Sequence, residues 1–530
     1  MTTRKLLLLA VPVLTADVAL AQGHPHPTGK LGTVRFETSC APSVSAKFDR
    51  AMALLHSFEF GPSIREFESV VAADSTCAMA WWGIALSRWT NPMTPNVRPG
   101  PVLERGRLAV ESGNRAATRA TERERAYLAA VAQLYADHTQ RDQRTRILAY
   151  ERAMAALAEK FPSDMEARIF HALSLVASAL PTDKTYANQL KAGAMLEEMW
   201  ANQPDHPGLA HYIIHSYDLP ALADRAAAAA RRYADIAPAA AHALHMPSHT
   251  FTRVGLWDES VATNHRSMEA AVRDSSPAEA LHALDYAMYA NMQMRRDSAA
   301  RAILTALPAI VTRFDPDRIT GAAPGSAGLF AIAAIPARYA LERRDWNAAA
   351  ALAPRVTPFP YTEGLTYFAR ALGAAHTDDR PRAQAAIDSL SSIHARLLAS
   401  RESYWAEQVA IQHLAAEAWL QFTRGERQPA LAKMREAARR EEATEKAAVS
   451  PGPLVPAREL LGDMLLASNR AAEALTEYRK SMQREPNRYL SLAGAARAAE
   501  AMGDRSAATG YYRQIEKLTG SPASAQPTRN

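Results

Sequence analysis

The chain has 530 residues, of which 48% are hydrophobic but only 7% aromatic, and its formal net charge is +6. This length is far above the size at which core burial is limiting, and an Ala-rich, aromatic-poor composition suits long helices packed through small residues better than a β-rich core. A surplus of +6 is mild for this length, and the basic residues come as pairs such as Arg231-Arg232, Arg295-Arg296 and Arg343-Arg344. No dense basic stripe is interleaved with aromatics, so no nucleic-acid partner is expected.

Residues 1–21 read as a secretory signal peptide. Arg4 and Lys5 precede the apolar run Leu6 to Leu14, and Ala19-Leu20-Ala21 is a small-x-small cleavage site. The alternative is an uncleaved N-terminal anchor. No later segment offers 18 uncharged apolar residues, because Gly328 to Ala340 is interrupted by Pro336 and Arg338. The expectation is a periplasmic or secreted protein with no stable membrane span after signal cleavage. Export makes the two cysteines informative. In an oxidising compartment Cys40 and Cys77 are expected to pair as one disulfide, the alternative being two buried free thiols. Residues 22–40 are punctuated by Gly and Pro and read as an extended leader. His24 and His26 in it offer metal ligands, but a flexible, solvated leader is the simpler reading.

Helix–turn–helix units follow. Phe58 to Ser75 has small and apolar residues at helical spacing and an Asp-Ser stop, and Thr76 to Trp89 is the next first helix. Trp81 and Trp82 there read as core packing plus one groove aromatic. Pro92, Pro95, Pro99 and Pro101 mark a loop, and helical patterns resume from about Ala117. Ile147 to Asp164 and Leu190 to Asp205 each end at a Pro-containing stop, and His171 falls on a packed face as a core histidine. Leu256 to Val272 is another second helix. After an insertion at Ser275-Ser276-Pro277, Ala280 to Asp297 begins with His282 and Asp285 on its first turn. These units make an N-terminal solenoid over 41–299. Residues 300–450 stay helical but drift in spacing, with a joint at Pro451-Gly452-Pro453. The last pair, over 451–520, is the most regular, and residues 521–530 read as a disordered tail.

Within the last pair, Leu461-Gly462, Ala474, Tyr478, Ser481 and Pro486 follow the Leu-Gly…Ala…Tyr…Ala…Pro skeleton of the tetratricopeptide repeat, with Ser481 in place of the last alanine. The chain resembles a tetratricopeptide-repeat protein. The stretches HYIIHSYD, HALHMPSHTFTRVG, CAMAWWGIALS and PGPLVPARELLG are together similar to a group of exported bacterial proteins of this fold. That resemblance implies an architecture and no catalytic residue. The expected fold is all-α, a right-handed superhelical solenoid of helix–turn–helix repeats.

One stretch, Pro204 to Gly255, concentrates the chemistry. It holds His206, His211, His215, Asp218, His242, His245 and His249. His211 to His245 and His215 to His249 are each one 34-residue period, so two successive repeats carry histidine in the same two slots. With Ala241 at repeat position 1 and Gly255 at the turn, these slots lie on first helices and face the concave groove. Neighbouring first helices lie roughly 10 Å apart, so imidazoles from both converge. His211, His215, His242, His245 and His249 with Asp218 form a candidate transition-metal site suited to Zn, Cu or Fe, and no nearby cysteine points to a closed structural zinc site. Pro247 either kinks this helix or starts it. Two other readings stand beside the metal: a polar groove for a protein or peptide partner, and a structural hydrogen-bond network. No HExxH signature occurs, and Ser248 has no orienting acid in sequence, so no catalytic residue is assigned. An exported scaffold binding a protein or peptide in its groove is the first expectation, and a metal-binding protein or metalloenzyme the second.

Overall fold

A computed structural model of the chain describes residues 29–521. The signal segment, His24, His26 and the tail from 522 on lie outside the described residues. Helices run from Ser45–His56 to Arg505–Thr519, and among the described residues there is no strand. No described helix is long and apolar enough to cross a membrane.

Sequential helices pack as neighbours, and along one row every second helix also touches the next of its kind. Pro277–Gln293, Gly325–Glu342, Pro360–His376, Ser403–Thr423, Ala457–Ala467 and Tyr489–Ala501 form such a row. This is the helical solenoid expected from the repeats. Small residues make the close crossings. Tyr478 fills the gap between Ala457–Ala467 and Tyr489–Ala501, where a Cβ added at Gly462 or Gly494 would stand 2.7 or 2.3 Å from its ring. The drift in spacing beyond residue 300 has a simple cause: Arg380–Ala399 and Ser403–Thr423 have 20 and 21 residues, more than one 34-residue period accommodates.

The disulfide Cys40–Cys77 is present, with Cα atoms 4.7 Å apart, and it ties the leader to the start of helix Ala78–Arg88. The described part of the leader is extended but not solvated. Leu31, Val34 and Phe36 are buried in the core, and the Phe36 ring meets Phe48, Trp82 and Tyr127 at centroid distances of 5.3–5.6 Å. Backbone bonds from Thr33 N–H to Asp205 (3.0 Å) and from Ala239 N–H to Lys30 (3.2 Å) strap it across three repeats. Alternating apolar residues in a Gly-rich run are what an extended strap needs. Trp82 is a core residue, and Trp81 is half-buried.

Two long-range features decide what the groove looks like. The C-terminal repeats return onto the middle of the array: Tyr289 donates to Glu485 (3.2 Å), Tyr489 N–H to Gln293 (3.1 Å) and Trp257 Nε1–H to Asn487 (3.0 Å). Between helices Arg427–Ala443 and Ala457–Ala467, the non-helical segment 444–456 then crosses the concave side. Glu445 accepts from Lys184 (2.5 Å), Tyr186 (3.0 Å) and Arg484 (3.1 Å). Arg338, fully buried and paired with Asp285 at 2.8 Å, donates to the carbonyls of Gly452 (2.9 Å) and Pro453 (3.0 Å). The expected joint at Pro451-Gly452-Pro453 is therefore pinned inside the molecule.

Candidate metal centre

The histidine-bearing elements are short first helices. His206 precedes helix Pro207–Ser216, which carries His211 and His215 one turn apart on one face. The next repeat is broken at Met246-Pro247 into Ala241–His245 and Pro247–Arg253, because proline cannot donate into a preceding turn. Both expectations for Pro247 are met in part: it starts a new helix, and His242 and His245 still sit on the one before it. His282 comes from the first turns of Pro277–Gln293, one repeat further on.

These residues assemble into two adjacent triads. One ring nitrogen from each of His211, His215 and His242 lies within 4.8 Å of the others, and the same holds for His245, His249 and His282. All six are buried, the most exposed by only 6%. The triads touch. His215 and His249 have ring centroids 5.9 Å apart, and His242 and His245 5.8 Å. Phe58 lies against His211, His215 and His242 at 4.4–5.8 Å, and Tyr286 against His245, His249 and His282 at 4.8–5.2 Å. Phe58 holds a left-handed backbone (φ 56°) to reach that place, a conformation costly for a bulky side chain.

The hydrogen bonds fix the tautomers. His211 Nδ1 lies 2.7 Å from the carbonyl oxygen of His56, which only accepts, so Nδ1 carries the proton. His242 Nδ1 donates to the Glu279 carboxylate (3.0 Å), His249 Nδ1 to Asp218 (2.8 Å) and His245 Nδ1 to Asn264 Oδ1 (2.7 Å). Asn264 is oriented by its own amide donating to the Ser260 carbonyl at 2.7 Å. In each neutral ring Nε2 is then a bare lone pair. Nε2 of His211, His215 and His242 has no hydrogen-bond partner, and Nε2 of His245 and His249 face each other at 3.1 Å. Two lone pairs at that distance repel unless an electrophile lies between them.

A proton is a poor candidate for that electrophile. Burial lowers the pKa of His211, His215 and His245 well below the ordinary value, and neighbouring imidazoles lower it further. Burial takes His249 to about 4 despite Asp218, and His282 to about 3 despite Glu279. The carboxylates behind them stay charged. Burial alone would raise Asp218, but Lys446, Arg253 and His249 hold it well below the usual carboxylate range. Glu279 is likewise lowered, since His242 and His282 outweigh its burial.

Five of the six residues expected as ligands thus converge through their rings. Asp218 stands behind His249, bonded also to Arg253 (3.0 Å) and Lys446 (3.1 Å). Ser248 Oγ makes only long contacts, 3.5 Å to His245 and 3.4 Å to Asn264. His206 joins a separate group, in which Glu166 lies 2.9 Å from His56 Nε2 and 3.0 Å from His206 Nε2. His56 also meets Tyr212 OH at 3.1 Å, so both of its nitrogens are engaged, and its carbonyl is what anchors His211. His171 is a buried core residue, 3.5 Å from Glu151. His282, Glu279 and Asn264 were not joined to the site by the sequence. His282 lies 33 residues after His249, one short of the period. Glu279 lies a full 34 after His245, in the slot of His211 and His245, and that spacing is the signal that could have found it; nothing local marks Asn264.

The first triad is reachable through His215. A cavity of about 170 Å³ is lined by His215, Asp218, Lys446, Gln189 and Tyr404. It adjoins a chamber of about 980 Å³ between the loop at Pro92–Leu103, the segment His138–Ile147 and the start of Ser403–Thr423.

No family model and no curated protein matches the chain. Solved structures similar to it include the human IFIT1 dimer with m7Gppp-AAAA, at 11% identity and a TM-score of 0.36, covering 84% of this chain and 90% of that one. An IFIT1 monomeric mutant with Gppp-AAAA gives 11% and 0.37, covering 91% and 96%. Yeast Tom70 gives 12% and 0.33, covering 90% and 98%. At these values none of them bears on a ligand or a partner.

Proposed function

We propose that the solenoid is the frame of a transition-metal protein, with the histidine triads as its ligands. One observation carries this reading: four of the six buried imidazoles, His211, His242, His245 and His249, have Nδ1–H tied to an acceptor and so turn Nε2 lone pairs, rather than N–H groups, toward the other rings. Metal-bound histidines are held in this way, the outer hydrogen bond setting tautomer and ring direction. Imidazole donors without thiolate suit Zn, Cu or Fe. Asp218 and Glu279 act as orienting carboxylates, not as ligands. Three protein nitrogens per ion leave a coordination position open, and the cavity at His215 leads to it, so the centre handles a small molecule instead of bracing the fold. The N-terminal signal pattern and the disulfide support work outside the cytoplasm, in the periplasm or beyond, as the resemblance to exported bacterial repeat proteins implies.

Elemental analysis tests this on mature protein purified without a His-tag or chelator, beside a His215→Ala/His249→Ala variant. The expected result is stoichiometric transition metal, lost in the variant while the helical spectrum is kept. Metal-free protein that takes up no Zn, Cu or Fe on anaerobic addition would rule the reading out.

A protein or peptide partner remains a second reading for a different surface. Segment 444–456 already covers the groove at the histidines, but the 980 Å³ chamber is open and lined by Arg141, Arg144 and Arg401. A partner carrying acidic residues suits it. Binding that weakens with salt and with Arg401→Glu, independent of metal, is the expected signature.

A further inference from the structure

The two triads are not alternatives for one ion. Each has its own three rings and its own outer supports. His211 leans on the His56 carbonyl and His242 on Glu279, while His245 leans on Asn264 and His249 on Asp218. No ring belongs to both sets. Yet the sets meet face to face through His215–His249 and His242–His245, with centroids under 6 Å apart. Three imidazoles on each side leave both ions short of a full shell, and the cavity at His215 reaches the first triad, against which the second is packed.

We propose that the triads bind two transition-metal ions side by side, as one dinuclear centre that accepts a small anionic or diatomic ligand between them. This rests on the metal reading above. Charge supports the choice of ligand. Six neutral imidazoles bring no charge, so two divalent ions add four positive charges to a buried site. Asp218 and Glu279 supply only two negative ones, and Arg253 and Lys446 already draw on Asp218. A hydroxide, azide or reduced-dioxygen species fits both the shortfall and the small volume, about 170 Å³, of the cavity. Lys446, which lines that cavity, adds a cation at its wall.

Copper(II) is the probe whichever metal is native, because it leads the divalent series at nitrogen sites. Metal-free full-length chain is loaded with excess copper(II), desalted through glycine buffer to strip weak sites, and its copper content and EPR spin count are compared. The expected result is about two retained equivalents with a spin count far below the copper content, because the unpaired electrons of two ligand-bridged copper(II) ions pair with each other. Azide, followed by its charge-transfer band, is expected to saturate this form at one equivalent per two coppers, and saturation at one per copper would overturn a ligand shared between the ions. His211→Ala, in the first triad, and His282→Ala, in the second, should each retain one equivalent with full spin. His211→Gln and His282→Gln are the milder pair should either alanine variant lose its helical spectrum. One retained equivalent in the unaltered chain, or two with full independent spin, would overturn the dinuclear centre and leave the metal reading standing. No retained copper would overturn both.

Discussion

At the scale of single residues, the site depends on groups that touch no ligand. Glu279 fixes the tautomer of His242, and an outer-sphere partner of this kind is typically worth 10–100-fold in metal affinity. Glu279→Gln keeps the shape and loses the charge. It should weaken metal retention by about that factor, read by competition with a chelator, at little cost in melting temperature. Asp218 differs because it also neutralises Arg253 and Lys446. Asp218→Ala leaves two buried cations without their acceptor and should destabilise the fold by roughly 3–5 kcal/mol, measurable by denaturant unfolding. The five converging histidines were legible in the sequence because periodicity places equivalent slots on equivalent faces. Their supports were not. Asn264 and the His56 carbonyl reach the site through tertiary contacts between repeats, which leave no trace in spacing. Glu279 keeps the 34-residue slot of His211 and His245 but changes the residue type, so a pattern of histidines misses it.

At the scale of elements, the leader and segment 444–456 do what helices do elsewhere in the array. Both are non-helical stretches held by side chains from distant repeats. The disulfide closes a loop of 37 residues, which in the chain-entropy view constrains the unfolded state by about 4 kcal/mol. Replacing Cys40 and Cys77 with alanine should lower the melting temperature by a comparable stability loss, matching the effect of reductant on the unaltered protein. Segment 444–456 depends on Arg338, whose removal also strands Asp285. Arg338→Ala should cost roughly 3–5 kcal/mol and raise amide exchange in 444–456 before the helices around it. Helix pairs were readable from sequence because each buries its face against a neighbour in order. A segment docking back across the groove has no period, so Pro451-Gly452-Pro453 looked like a joint although it is tightly packed.

At the scale of the whole molecule, a row of buried neutral imidazoles makes stability depend on pH. Burial holds His249 near 4 and His282 near 3, and puts His211, His215 and His245 well below their ordinary value. In the unfolded chain each titrates near 6.5. Between about pH 6.5 and 4 the unfolded state binds more protons than the folded one, so stability falls as pH falls. The slope is roughly 1.4 kcal/mol per pH unit for each histidine, with no change from this source above 6.5. Melting curves of chelator-treated protein from pH 8 to 4 should show a steep acid-side loss, and a flat profile would mean that the rings are solvated. Bound metal adds to the loss, because protons compete for the same Nε2 atoms.

The most direct measurement is an anomalous-difference map from a crystal of protein purified with its native metal, collected on either side of that metal's absorption edge. Peaks are predicted among the Nε2 atoms of His211, His215 and His242 and beside those of His245 and His249, with metal–nitrogen distances of about 2.0 Å. Absence of a peak at these nitrogens, with metal found only on surface residues or not at all, would contradict the assignment of the groove as a metal centre.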